Sequence, residues 1–163
     1  MDSAKINDWM QVVGIFAVVL SLIFVGLEMK QSQDIAIAAQ YQARYSTIAE
    51  ILSDRQLDPD YAQYIGEREI SSNGIPLGFD QSISAREYGR QFLGIRLALQ
   101  TLDNYHFQYQ SGFLAEDAWA SYLRVYTPLF RRPAGRHYVE NYKDTYRPAF
   151  QSVIGQMAGD IRE

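Results

Sequence analysis

The run Val12 to Leu27, VVGIFAVVLSLIFVGL, limits what this chain can become more than any other stretch. It holds no charge, and Ser21 is its only polar side chain. Its residues are apolar on every face rather than along one stripe, which suits a helix surrounded by lipid better than one laid on a core. Sixteen residues at a rise of about 1.5 Å give roughly 24 Å, short of a hydrocarbon layer of about 30 Å. Extending the run to Met10 and Met29 reaches that thickness and brings Gln11 and Glu28 to the headgroups. Trp9 falls where an interfacial aromatic belongs, and Lys30 can snorkel outward. The expectation is one transmembrane helix, with its flanks in residues 1–30, whose first partner is the lipid bilayer.

A cleaved signal peptide would also begin with an apolar run. Ala36-Ile37-Ala38 before Ala39 has the form of a cleavage site, but it follows Glu28, Lys30 and Asp34 and lies too far from the run. The leading segment, with Asp2, Lys5 and Asp8, lacks the positive character of a signal sequence. An uncleaved anchor fits better. Lys5 on one side stands against Lys30 and Arg44 on the other, a near tie, and the expectation places the larger C-terminal part in the cytoplasm.

Residues 31–163 have room for one soluble domain. The formal net charge of the chain is −4, and no region is strongly basic, so nucleic acid is not an expected partner. Cysteine is absent, which removes disulfides, thiolate metal sites and cysteine nucleophiles.

Beyond the apolar run the pattern turns amphipathic. Ile37, Tyr41, Tyr45, Ile48 and Leu52 form one helical stripe, so the anchor is expected to continue as the first helix of the soluble domain. A break is expected over Asp54 to Asp58. Asp58-Pro59 reads as a helix start, followed by a helix to Ile70 with Tyr61, Tyr64 and Ile65 inward. SSNGIPLGFD, from Ser71 to Asp80, reads as a loop. Ser84 to Glu87 fits a capping box, and Tyr88, Phe92, Ile95, Leu99, Leu102 and His106 mark one face of the helix that follows, with Gly112 as its stop. Trp119, Tyr122, Leu123, Tyr126 and Phe130 mark the next helix, near whose end Pro128 sits. Arg131 to Arg136 reads as a basic turn. A helix from about Arg136 to Tyr146 and a last one from Arg147-Pro148 to about Ala158 complete the chain. No strand is expected. The fold class is all-α: a transmembrane helix continuing into a small bundle of four to five helices.

Four segments carry a family resemblance: EMKQSQDIAIAAQYQ after the span, then FQYQSGFL, EDAWASYL and RRPAGRHYVENYKDTYRPAF. Together they resemble an uncharacterised bacterial family of small single-span proteins, in which a "GxL…E…W" helix precedes a Pro/Gly turn, a short aromatic helix and a "PxF" helix. Glu28-Met29-Lys30-Gln31-Ser32 departs from the more basic segment that usually closes the family's span. The resemblance implies a single-pass protein of the bacterial inner membrane with a helical domain, and it assigns no catalytic residue.

Chemistry has few places to reside. The two histidines each have an acid three positions away, as Asp103-x-x-His106 and His137-x-x-Glu140, which puts each pair on one helix face. A carboxylate–histidine metal site between helices would use such pairs. Here one pair is reversed and further ligands are not evident, so no metal or other cofactor is expected. No G-x-S-x-G, P-loop or dinucleotide fingerprint is present. Glu116 and Asp117 suit the first turn of a helix and need no catalytic role. Arg131, Arg132 and Arg136 could meet anionic lipid heads or an acidic partner, or form a solvated turn. Within the span, Gly14, Ala17, Ser21 and Val25 make a small-residue seam that would admit another transmembrane helix. The expected function is that of a non-catalytic accessory or interaction subunit of a larger membrane complex, with other transmembrane subunits as partners. The competing expectations are a membrane-tethered ligand-binding module and, behind it, a metal-dependent enzyme.

Overall fold

A computed structural model describes residues 3–159, with side chains from residue 7 onward. Lys5, one of the charges used to orient the span, has its side chain outside the described residues. All the regular structure among the described residues is helical: α1 (Ser3–Leu57), α2 (Pro59–Asn73), α3 (Ala85–Gln110), α4 (Glu116–Phe130), α5 (Pro133–Tyr142) and α6 (Pro148–Ala158), with a 3₁₀ turn at Lys143–Thr145. The chain divides into two units, Met1–Gln40 and Tyr41–Glu163.

In the first unit every described side chain from residue 7 to residue 37 is exposed. That includes Trp9, Phe16, Leu20 and Phe24, each more than half accessible. By length and composition α1 can cross a membrane.

In the second unit α3 is the hub, packing against α2, α4 and α5. Ser84 accepts the Glu87 amide through its Oγ at 3.2 Å, so the expected cap starts α3. Gly112 adopts φ +77° beyond its end, a backbone region that favours glycine. All six residues of the expected α3 stripe are buried. Leu93, Leu99 and Leu102 are at most 1% exposed, each stabilising the fold by about 1.5–3 kcal/mol of transfer free energy. Phe130, Val139, Phe150 and Ile154, from α4, α5 and α6, close the same core.

The α2–α3 crossing depends on two glycines. A Cβ on Gly66 would lie 1.7 Å from the Ala85 carbonyl oxygen, and one on Gly89 would lie 1.8 Å from that of Ala62. The backbones touch there, and no side chain fits.

Several boundaries and faces differ from the sequence expectation. α1 runs through the expected break to Leu57, with Arg90 Nε donating to the Gln56 carbonyl at 3.3 Å and the Arg55 guanidinium over the Tyr61 ring. Asp58 then caps α2 by accepting the Asp60 and Tyr61 amides. Within the second unit, the inward face of α1 includes Leu52, with Tyr41, Tyr45 and Ala49 half-buried, while Ile48 is exposed. Ala49 takes an inner position, and the larger Ile48 lies one residue away on the exposed side. On α2, Tyr64 is exposed, and Ala62, Ile65, Gly66 and Glu69 form the buried face. α5 begins at Pro133 and ends at Tyr142, so the basic turn shrinks to Arg131 and Arg132. Tyr146 lies beyond the 3₁₀ turn in extended backbone, which turns it back into the core against Phe150.

Candidate functional site

Three places bring chemistry-bearing side chains together. The first is a polar seam along α3. Asp103 accepts the Tyr41 hydroxyl at 2.7 Å and Arg147 Nε at 2.9 Å. Arg147 also donates to the Asp103 carbonyl, and its guanidinium lies over the rings of Tyr41 and Phe107. Beside it Asn104 donates to Gln42 Oε1 at 2.9 Å, and Tyr45 and Thr101 hydroxyls meet at 3.0 Å. Burial, followed by the Asp103 hydrogen bond, pushes the Tyr41 hydroxyl up to about 12. This seam ties residues 41–45 of α1 and the start of α6 to α3. Each strong donor has its acceptor, which suits a structural joint.

The second place is Glu69, 2% exposed on α2. The Tyr142 hydroxyl donates to its Oε2, Asn73 Nδ2 donates to the same oxygen at 3.1 Å, and Arg68 donates to Oε1 at 3.2 Å. Three donors on one buried carboxylate satisfy it and pin α5 to α2. Sequence reasoning missed Glu69. Its only signal was its place four residues after Ile65 on the α2 face.

The third place is the α4–α5 corner, and it alone leaves charged groups open. Arg131 and Arg132 form the link between α4 and α5, and Arg136 sits in the first turn of α5. All three are exposed. A cleft of about 490 Å³ is lined by Arg131, Arg136, His137 and Glu140 from this corner and by Asn73 and Leu77 across it. His137 Nε2 is buried without a hydrogen-bond partner. A second cleft, of about 640 Å³, shares Pro133 with the first and sets Arg132 beside Phe79, Ile95 and Leu129.

The metal candidates are separated by these arrangements. His106 packs its ring against Trp119 and Phe150, with centroids 5.4 Å away in each case, and Asp103 is held by Arg147 and Tyr41. His137 and Glu140 line the α4–α5 cleft instead. Among the described residues no group of three or more histidine or acidic side chains could hold a metal ion. The His106 imidazole is held below its usual range, first by burial and then by the Arg147 charge.

In the first unit, Gly14, Ala17, Ser21 and Val25 are all exposed on α1, and a Cβ on Gly14 would meet nothing within 4 Å. Trp9 and Lys30 are exposed at the two ends of the apolar run. The chain matches no protein-family model, no curated protein and no solved structure.

Proposed function

We propose that this protein is a single-pass, membrane-anchored accessory subunit that binds other transmembrane subunits of a larger complex. One observation carries the reading: the apolar side chains from Val12 to Leu27 are exposed on every face of α1. Such a run in water would forfeit the transfer free energy that stabilises folded chains, about 25 cal/mol per Å² of apolar surface. A bilayer removes that penalty, and a helix meets its own backbone hydrogen bonds there. The family resemblance of the segments after residue 27 supports the same reading and a bacterial inner membrane. The flanking charges, Lys5 on one side and Lys30 and Arg44 on the other, place the helical unit on the cytoplasmic side in this proposal.

Within the bilayer, Gly14, Ala17, Ser21 and Val25 would offer a partner helix close approach. The assembly is tested by gentle detergent extraction from native membranes followed by mass spectrometry of what co-purifies. A stoichiometric complex is expected, and a lone monomer would overturn the reading. Gly14→Leu and Ser21→Leu should reduce the yield of that complex; an unchanged yield rejects the seam.

The two clefts around Pro133 favour a second reading, a membrane-tethered ligand-binding module. Their volumes fall in the range of about 300–1,000 Å³ typical of ligand sites. This reading requires a small molecule that raises the thermal stability of the isolated full-length protein.

A further inference from the structure

We propose that the α4–α5 corner binds the phosphate of an anionic amphiphile, with Arg131 and Arg136 on the phosphate and the apolar part in the neighbouring cleft, whose wall includes Arg132. The site lies wholly within the second unit and does not depend on the membrane anchor or on a partner subunit.

The arginines themselves are the first observation. Three guanidinium groups occur within six positions, and among the described residues none has an ion pair or a side-chain hydrogen bond. Elsewhere in the unit, Arg68 is engaged by Glu69, Arg86 by Gln63, Arg90 by Gln56 and Arg147 by Asp103. Among the described residues Arg44, Arg96 and Arg124 also lack an ion pair or a side-chain hydrogen bond, but they stand singly rather than as a group. Arg131 and Arg136 line the same cleft, where an anion would meet two guanidinium groups that make no ion pair among the described residues. Guanidinium groups match phosphate oxygens in pairs, so several around one phosphate give both affinity and orientation.

The second observation is the shape beside them. Arg131, Arg136 and His137 line one concavity and Arg132 lines the next, with Pro133 common to both. The Arg132 cleft has Phe79, Ile95 and Leu129 in its walls. Leu77, 96% exposed, stands at the edge of the Arg131 cleft. A small inorganic anion would leave these apolar walls wet, whereas a phosphate that carries a hydrocarbon chain covers them. Two acids also line the clefts. Asp80 is occupied, accepting the Ser82 amide at 2.9 Å and its hydroxyl at 2.6 Å. Glu140 has no such internal partner and opposes an anion in the Arg131 cleft.

The test exploits the absence of cysteine from the sequence. Leu77→Cys gives one labelling position for an environment-sensitive dye on the full-length protein, held in nonionic amphipol. The probes are dihexanoyl phosphatidic acid below its micelle concentration, a neutral dihexanoyl glycerol and inorganic phosphate. The expected result is saturable binding of the phosphatidic acid, with both other probes weaker by about tenfold or more. In the same background, Arg131→Gln with Arg136→Gln should weaken phosphatidic acid by about tenfold or more, and Glu140→Gln should tighten it. Equal affinity for inorganic phosphate would mean a soluble phosphate site and overturn the lipid assignment. Equal affinity for the neutral glycerol would overturn the role of the phosphate. Unchanged binding in the arginine variant, or weaker binding in Glu140→Gln, would overturn the site itself. The two sets of variants change charge in opposite directions, so general loss of folding cannot produce the expected pattern.

Discussion

Asp103 holds three parts of the second unit together. It receives a hydroxyl from α1 and a guanidinium from the residue before α6, while its own backbone sits in α3. Its side chain is 10% exposed and that of Arg147 is 29% exposed, so the pair is shielded without being dry. Asp103→Asn should destabilise the unit by about 2–3 kcal/mol, because Arg147 would remain partly buried without its counter-charge. Urea unfolding measures this, and a change below about 0.5 kcal/mol would show the pair to be incidental. One turn along, His106 makes a pH-dependent contribution. Its neighbours are Arg147, Asp103, Trp119 and Phe150, and burial with the Arg147 charge holds its pKa down. The unfolded chain therefore takes up the proton first, at its ordinary value of about 6.5. Stability from the neutral imidazole is full above that value and is lost as pH falls through the lower, folded value. His106→Phe keeps the ring contacts and removes this component. The wild-type urea midpoint, relative to the variant's, should fall between pH 7 and pH 5; a constant difference would show that His106 does not titrate in this way.

At the scale of elements, the packing of α2 on α3 and of α5 on α4 is decided by glycines. Gly66 and Gly89 face backbone atoms at under 2 Å from a would-be Cβ, and Gly135 faces the Leu129 carbonyl oxygen at 2.4 Å. Backbone cannot yield as a flexible side chain can. Gly66→Ala or Gly89→Ala should therefore cost about 3 kcal/mol or more, although alanine favours helix by about 1 kcal/mol. Gly14→Ala meets nothing and should leave the fold unchanged. Circular dichroism melts of the three variants separate these cases, and similar melts would contradict the close crossing. The α3 start depends on Ser84, whose Oγ holds the Glu87 amide. That cap was legible in the sequence, because a capping box is a local pattern and needs no tertiary partner. The glycine contacts were not, since a glycine inside a helix reads the same whether it faces solvent or another backbone.

At the scale of the molecule, tyrosine dominates the second unit. Burial pushes Tyr41, Tyr88, Tyr105 and Tyr142 up to about 12, and raises Tyr146 further. The unfolded chain loses these protons near pH 10, so the stability they contribute is full below that value and is lost as pH rises through 10 to about 12. Unfolding of the helical unit is expected in that range, with tyrosinate absorbance appearing in step with loss of helix. A single ordinary titration of all twelve tyrosines with intact helix would contradict it. The sequence by itself determined the all-helical class, the apolar run and the starts of α2, α3 and α6. Each of these rests on composition, on a side-chain cap formed within a few residues, or, for α6, on a proline at the start of the helix. Only the tertiary structure decided that Leu52 and Ala49 face inward on α1 while Ile48 does not. It alone separated Asp103 and His106 from His137 and Glu140, and buried Glu69 beneath Tyr142. Periodicity shows that a helix has an apolar side, but the partner's shape selects which residues occupy it. Arg131, Arg132 and Arg136 stood out from the start as a run of charge. Their lack of partners, and the apolar cleft next to them, came only from the way α4, α5 and the loop before α3 close on one another.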